Sequence, residues 1–157
     1  MESLINKNIL LGVTGGIAAY KSAEIVRGLK KAGSSVRVVM TQSAQEFITP
    51  LTLQALSGNP VSTDLLDAEA EAAMGHIELA RWADAILIAP ATANTIARLS
   101  SGRADDLLSS ITLAFDGPIG LAPAMNQAMW KDERTQSNIK NLEHKDFSLY
   151  GPGSGEQ

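Results

Sequence analysis

The chain has 157 residues, of which 45% are hydrophobic, and this length and composition predict a single globular domain with a core of its own. Its net charge of −4 argues against nucleic-acid and anionic-membrane partners. Because the sequence has neither a signal-peptide pattern nor an apolar run of transmembrane length, we expect a cytoplasmic protein. The sequence contains no cysteine, which excludes disulfide bonds, thiolate metal ligands and a cysteine nucleophile within these residues, and we expect no metal site.

The start of the chain has the pattern of a strand–helix–strand unit. Residues 8–13 are a short apolar run followed by Thr-Gly-Gly, which is typical of a buried parallel strand that ends in a tight turn. Apolar residues at mostly helical spacing predict a helix over residues 17–31, and Gly33 provides its C-terminal stop. A second strand is predicted at residues 36–40, so the crossover between the two strands should be right-handed.

The middle of the chain repeats this alternation less regularly. A helix is predicted over residues 47–56, interrupted near its start by Pro50, and a short strand at residues 61–63. The composition of residues 67–74 does not decide between a helical turn and a loop. Residues 76–83 have a clearer helical pattern.

The second half of the chain contains the plainest buried strand, at residues 85–90, followed by a polar turn and a helix near residues 96–99. The remaining predicted elements are a helix at 105–114, a strand at 119–122, a helix near 131–142 and a strand at 147–150. Alternating strands and helices predict an α/β fold with a doubly wound, Rossmann-like or flavodoxin-like parallel sheet in a single domain.

The turn after the first strand, residues 12–19, can bring backbone N–H groups and the positive end of a helix dipole to a phosphate. A nucleoside-triphosphate P-loop needs glycine directly before its Lys-Ser pair, where this sequence has Tyr20. The dinucleotide fingerprint asks for an acidic residue at the end of the second strand, where residues 41–43 are Thr-Gln-Ser. A mononucleotide therefore fits better than NAD, while a purely structural use of Gly15 and Gly16 in helix packing stays open.

Other candidate residues lie farther along the chain. The segment 123–130 follows a buried strand and places Asn126 where its amide can donate to a carboxylate, with Met125 and Met129 as polarizable walls. His76 begins a predicted helix, whose positive end favours a neutral imidazole that can act as a base. From the residues alone, a helix cap at Asn126, core packing by the methionines and a surface role for His76 remain alternatives.

Five segments, in this order along the chain, together resemble the flavin-dependent cysteine decarboxylase family. The resemblance is strongest to the phosphopantothenoylcysteine decarboxylase domain of the bifunctional coenzyme A biosynthesis protein, and it covers nearly the whole chain. The segments are residues 12–21, 49–51, 75–79, 89–94 and 123–130.

The resemblance implies that FMN is bound between subunits of a homo-oligomer built from trimers, of which a dodecamer is one form. His76 would be the catalytic base, and Asn126 would hold the substrate carboxylate beside Met129. The residues that would line the cofactor are Gly15, Gly16, Ile17, Thr41, Thr92, Ala93, Asn94 and Ala124.

The implied reaction is the decarboxylation of 4'-phospho-N-pantothenoylcysteine to 4'-phosphopantetheine. In this family the flavin oxidises the CH₂–SH group of the substrate to a thioaldehyde, which permits loss of CO₂, and then returns the electrons. The alternatives are a peptidyl-cysteine decarboxylase or a flavin prenyltransferase of the same superfamily. A non-catalytic flavin-binding regulatory module is an alternative from another class.

The resemblance assigns residues 1–150 to the FMN-binding decarboxylase domain and residues 151–157 to the start of a flexible flap or linker. Because the chain stops inside this glycine-rich segment, we expect it to be truncated, and a fused C-terminal synthetase domain stays open. Members of the family carry a proton-donating cysteine shortly after such a segment. If nothing follows Gln157, the resemblance implies that oxidation and decarboxylation proceed while the final reduction is impaired.

Overall fold

A computed structural model of the protein describes residues 4–63 and 75–152. Its strands are β1 (Asn8–Val13), β2 (Ser35–Met40), β3 (Ala85–Ala91), β4 (Ile119–Pro123) and β5 (Ser148–Leu149). They form one sheet in the order β2-β1-β3-β4-β5, and all of the pairings are parallel. The predicted doubly wound parallel sheet is confirmed.

The helices cover both faces of the sheet. The α-helices within the described residues are α1 (Ser22–Lys31), α2 (Pro50–Ser57), α3 (His76–Trp82), α4 (Ala93–Ser100), α5 (Leu107–Ala114), α6 (Gln127–Lys131) and α7 (Glu133–His144). Helices α1 and α2 pack on one face, and α3, α4, α5 and α7 pack on the other. None of these helices is long and apolar enough to cross a lipid bilayer.

The core explains why the central strands are almost entirely apolar. Neighbouring residues of a strand point to opposite faces, so Leu10 and Ile88 contribute to the cluster beneath α4 and α5, while Leu11 and Val38 contribute to the cluster beneath α1 and α2. All four side chains are at most 1% exposed. Burial of each such side chain contributes roughly 1.5–3 kcal/mol to folding.

Two helices begin at later residues than the sequence pattern predicts. The helix predicted at 17–31 starts as a 3₁₀ helix over Ile17–Lys21 before α1 begins. The helix predicted at 47–56 begins only at Pro50, because Thr49 is the N-cap and its hydroxyl accepts from the Thr52 backbone N–H at 3.3 Å. A separate 3₁₀ helix, Ser43–Glu46, precedes it.

The helix predicted near 131–142 is α7, and a short helix that was not predicted, α6, precedes it. Helix α6 ends at Lys131, and α7 begins after Asp132, whose carboxylate accepts from the Arg134 backbone N–H at 2.8 Å. The strand predicted at 61–63 is reduced to a single bridge between Val39 and Ser62. The undecided residues 67–74 and the predicted tail residues 153–157 lie outside the described part of the chain.

The strand order determines where a ligand can bind. From β1 the chain first crosses outward to β2, and the following crossover returns past β1 to β3 on its other side. The connections after β1 and β3 therefore leave toward opposite faces of the sheet. A crevice opens between them at the carboxyl edge, which is where ligands of open parallel sheets bind.

Candidate functional site

Four turns lie at the carboxyl edge because all of the strands are parallel. We call residues 14–18 turn 1, residues 41–43 turn 2, residues 92–94 turn 3 and residues 124–126 turn 4, after β1, β2, β3 and β4 respectively. All eight residues predicted to line a cofactor fall in these turns.

Turn 1 and turn 2 are in close contact at Gly15. A Cβ atom on Gly15 would lie 2.6 Å from the Cβ of Ser43 and 2.8 Å from its backbone carbon, so a side chain has no room here. The Thr41 backbone N–H donates to the Val13 carbonyl oxygen at 3.0 Å and holds turn 2 beside β1. Glycine at position 15 is therefore required by the packing of the two turns.

Gly16 faces the crevice between turn 1 and turn 3. The only described atom within 4 Å of a Cβ built there is the Thr92 Cγ2, at 3.6 Å, which is an ordinary contact distance. The backbone at Gly16 is extended, a conformation that any residue adopts. Protein packing alone therefore does not demand glycine at this position.

Thr14 connects turn 1 to turn 3 and was not among the residues predicted from sequence. Its hydroxyl donates to the Pro90 carbonyl oxygen at 2.6 Å and accepts from the Thr92 backbone N–H at 3.1 Å. The side chain is 1% exposed. The available sequence signal was a hydroxyl residue directly after a buried strand.

The polar groups of Thr92 are occupied within the protein. Its N–H donates to Thr14, and its Oγ1 caps α4 by accepting from the Thr95 N–H at 3.2 Å. The same hydroxyl donates to the Thr95 Oγ1 at 3.2 Å. Thr92 therefore supports turn 3, whereas the donors that turn 3 offers to a ligand are the first N–H groups of α4, at Ala93 and Asn94.

The turns present a group of unpaired backbone donors. Within residues 4–63 and 75–152, no protein acceptor pairs with the N–H groups of residues 15–18, residues 42–43 or residues 93–94. The hydroxyls of Thr41 and Ser43, 3.3 Å apart, lie in the same region. Clustered N–H groups at helix starts and in turns bind anions such as phosphates, because they combine hydrogen-bond donors with partial positive charge. The residues present thus fit a phosphate-bearing cofactor.

A cleft of about 720 Å³ opens beside these turns. One side is formed by residues 40–43 with Gln45 and Thr63, and the other by Asn94, Arg98 and residues 105–108 at the start of α5. Of the residues predicted to bind the cofactor, Thr41 and Asn94 line this cleft. Ile17 lies apart from it in turn 1, with 81% of its surface exposed.

The charged side chains of the cleft are one arginine and two aspartates, which pair with each other and leave a net negative charge. Arg98 Nη1 lies 2.7 Å from Asp106 Oδ2, and Arg98 Nε lies 3.1 Å from Asp105 Oδ1. Asp106 also caps α5, since its Oδ1 accepts from the Ser109 N–H at 2.8 Å. Arg98 is therefore a link between α4 and α5 rather than an open anion site.

His76 begins α3 and is half-buried. The far end of α3 is attached to the amino edge of the sheet, because Asn8 Nδ2 donates to the Trp82 carbonyl oxygen at 3.0 Å. Seven helical residues rise by about 9 Å between the first and the last, so His76 lies about 9 Å along the helix axis from that attachment. Leu79 and Ala80 pack in the core and fix the helix.

Turn 4 holds Asn126 in a defined orientation. Asn126 Oδ1 accepts from the Met129 backbone N–H at 2.9 Å and caps α6, which leaves the Nδ2 amide group to face solvent. Ala124 N–H donates to the Ala91 carbonyl oxygen at 3.1 Å and attaches this turn to β3. Met129 is 45% exposed, whereas Met125 packs against the core. The helix-cap interpretation and the ligand-donor interpretation of Asn126 are therefore compatible.

Comparisons of the sequence and of the structure with known proteins agree on one family. The family model described as Flavoprotein matches residues 1–156. The coenzyme A biosynthesis bifunctional protein CoaBC of Vibrio vulnificus is 57% identical over all of this chain, and that of Escherichia coli is 56% identical over 99% of it. The chain spans 39% and 38% of the lengths of these relatives.

Solved structures share the fold. The FMN-dependent cysteine decarboxylase SpaF superposes with a TM-score of 0.88 at 32% identity, covering 97% of this chain and 87% of SpaF. A Cys-to-Ser mutant of PPC decarboxylase complexed with pantothenoylaminoethenethiol superposes with a TM-score of 0.80 at 31% identity, covering 94% and 83% of the two chains. Together with the matched family model, these similarities show that the chain belongs to the flavoprotein family.

Proposed function

We propose that this chain is an FMN-dependent phosphopantothenoylcysteine decarboxylase domain, which converts 4'-phospho-N-pantothenoylcysteine to 4'-phosphopantetheine in coenzyme A biosynthesis. The observation that carries the proposal is the group of unpaired N–H donors in turns 1, 2 and 3, beside the mutually hydrogen-bonded hydroxyls of Thr41 and Ser43. The CoaBC relatives and the structural similarity to PPC decarboxylase support the choice of substrate.

Membership of the flavoprotein family supports a flavin, and the turns favour the mononucleotide form. A phosphate monoester matches the unpaired N–H groups of turns 1, 2 and 3 and the hydroxyls of Thr41 and Ser43. When bound, the flavin supplies the reversible two-electron oxidation of the substrate's thiol-bearing carbon. The proposed lining residues are Gly15, Gly16, Ile17, Thr41, Thr92, Ala93, Asn94 and Ala124, with Thr92 acting as a support.

The proposed catalytic residues are His76 and Asn126. Oxidation of CH₂–SH to a thioaldehyde releases a hydride from carbon and a proton from sulfur, and the His76 imidazole accepts that proton. Asn126 donates from Nδ2 to the substrate carboxylate, because its Oδ1 is occupied by the Met129 N–H. The exposed Met129 side chain provides an apolar wall beside this carboxylate.

We further propose a cytoplasmic homo-oligomer built from trimers, in which FMN lies between subunits. The exposure of Ile17, an apolar residue inside turn 1, supports completion of the site by a second subunit. The naming of the longer relatives as bifunctional proteins supports fusion to a synthetase domain in the intact protein.

The proposal is tested on purified protein with FMN and phosphopantothenoylcysteine. We expect flavin absorption bands and release of CO₂, and we expect His76→Asn to keep the bands and lose CO₂ release. Turnover of a peptide with a C-terminal cysteine, or of a prenyl phosphate, in place of phosphopantothenoylcysteine would reassign the substrate. Absence of flavin bands after FMN addition would contradict all of these enzyme assignments.

A further inference from the structure

The Thr14 side chain continues the pairing of the two central strands beyond the point where their backbone ladder ends. The last backbone pair of β1 and β3 is Gly12 opposite Ile88. Beyond this pair the strands diverge, and the Thr14 hydroxyl spans the gap by donating to the Pro90 carbonyl oxygen and accepting from the Thr92 N–H. A single side chain therefore links the two turns that flank the crevice.

Both hydrogen bonds are shielded from water. Thr14 is 1% exposed, Pro90 is buried and Thr92 is half-buried. Removal of a buried hydroxyl leaves its former partners unsatisfied, which costs more than the intact hydrogen bonds contribute. Without this hydroxyl, turn 3 would have to move to bring the Thr92 N–H to another acceptor.

The position of Thr92 controls the donors of turn 3. Thr92 is the N-cap of α4, and its Oγ1 fixes the first helical turn by accepting from the Thr95 N–H. The unpaired N–H groups of Ala93 and Asn94 therefore point in a direction set by Thr92, which is itself held by Thr14.

We propose that Thr14 is a positioning residue of the flavin site, which acts through Thr92 to aim the first N–H groups of α4 at the cofactor. This inference rests on the proposed flavin function. Thr14 belongs to turn 1, but its side chain is 1% exposed and its hydroxyl is occupied by Pro90 and Thr92, so it would act on the cofactor only through the turns. The Thr14 hydroxyl, and not its methyl group, makes both hydrogen bonds. Serine at position 14 should therefore preserve flavin binding, and valine should not.

The test compares the dissociation constant of FMN, measured by flavin fluorescence quenching on apoprotein, for wild type, Thr14→Ser and Thr14→Val. We expect Thr14→Val to weaken binding at least about tenfold and Thr14→Ser to stay within about threefold of wild type. Thr112→Val is the matched control, because it removes a buried hydroxyl that donates to the Ser109 carbonyl oxygen inside α5. The control should lower the melting temperature without weakening FMN binding.

The outcomes separate the two proposals. If wild type binds no FMN, the flavin function itself is contradicted. If wild type binds FMN and Thr14→Val binds equally well, or Thr14→Ser binds as weakly as Thr14→Val, the role of Thr14 is wrong. If Thr14→Val does not fold, the proposal is tested by amide hydrogen exchange at Thr92 in wild type and Thr14→Ser. We expect the Thr92 N–H to exchange slowly in both proteins. Rapid exchange in either would overturn the positioning role of Thr14.

Discussion

Gly15 and Ser43 bring the turns after β1 and β2 into direct contact, with no space for a side chain on the glycine. We therefore expect Gly15→Ala to force turn 2 away from β1 and to lower the free energy of unfolding by about 1–3 kcal/mol. Urea denaturation of the apoprotein measures this loss. An unchanged midpoint and slope would mean that turn 2 moves without cost.

Gly16→Ala should behave differently from Gly15→Ala. The added methyl group would lie 3.6 Å from Thr92 Cγ2, so the free energy of unfolding should change by less than about 0.5 kcal/mol. The methyl group nevertheless enters the crevice between turns 1 and 3, and we expect FMN affinity to fall at least about tenfold. Equal FMN affinity in Gly16→Ala and wild type would place the cofactor elsewhere.

Asn126→Asp separates the capping function of Asn126 from its proposed donor function. Aspartate also caps helices, so stability should stay within about 1 kcal/mol of wild type. A carboxylate would replace the Nδ2 donor and repel the substrate carboxylate, which should reduce kcat/KM at least about a hundredfold. Steady-state CO₂ release and thermal melting measure the two quantities. A loss of stability equal to that of Asn126→Ala would show that the aspartate does not retain the cap.

Asp105 and Asp106 both pair with Arg98, so substituting each in turn compares the two ion pairs. Asp106→Ala removes the cap of α5 and the 2.7 Å partner of Arg98, and we expect a loss of about 2 kcal/mol in the free energy of unfolding. Asp105 is more exposed, with 43% of its side chain accessible, so Asp105→Ala should cost less than about 1 kcal/mol. Chemical denaturation of both variants provides the comparison, and equal losses would contradict the capping argument.

The carboxyl group of Asp132 should remain ionised in acid. Hydrogen bonds from the Arg134 side chain at 2.9 and 2.8 Å, and from its backbone N–H at 2.8 Å, lower the pKa of Asp132 well below its ordinary value of 3.8. A lowered folded-state pKa stabilises the fold above the ordinary value, and this contribution is lost as the pH falls toward the folded-state value.

An NMR titration of the Asp132 carboxyl carbon tests this prediction. In Arg134→Gln we expect the midpoint to shift upward toward 3.8, because the charged partner is removed. Arg27→Gln, which alters an exposed pair with Glu24 on α1, serves as the control and should leave the Asp132 midpoint unchanged. Identical midpoints in wild type and Arg134→Gln would contradict the assigned cause.

Apolar runs predicted the sheet well because buried parallel strands must be apolar on both faces. The strand predicted at 85–90 is β3, and the strand predicted at 119–122 is β4 with one further residue. Helix starts were less predictable, since a cap competes with the apolar pattern. Asp132 delays the helix predicted near residue 131 until Glu133, and Asp106 delays the helix predicted from residue 105 until Leu107.

The turns of the site could be located from the sequence, but the pairing between them could not. Thr92 was predicted as a cofactor contact, whereas the structure shows its N–H and hydroxyl occupied by Thr14 and Thr95. The link from Thr14 to Thr92 spans 78 positions and depends on how two strands diverge, which no local pattern encodes. Whether His76 and Asn126 act on substrate stays a prediction.

The pairing of Arg98 with two aspartates affects how a ligand reaches the site. Arg98 is the one cationic side chain among the described residues lining the cleft, and its charge is already compensated. An anionic ligand therefore gains little long-range attraction, and its association is not accelerated by electrostatic steering. The affinity should depend weakly on ionic strength, because short hydrogen bonds from neutral groups are not screened as surface charges are. The site then selects its ligand only after the ligand has reached the turns, through their shape and the geometry of their hydrogen-bond donors.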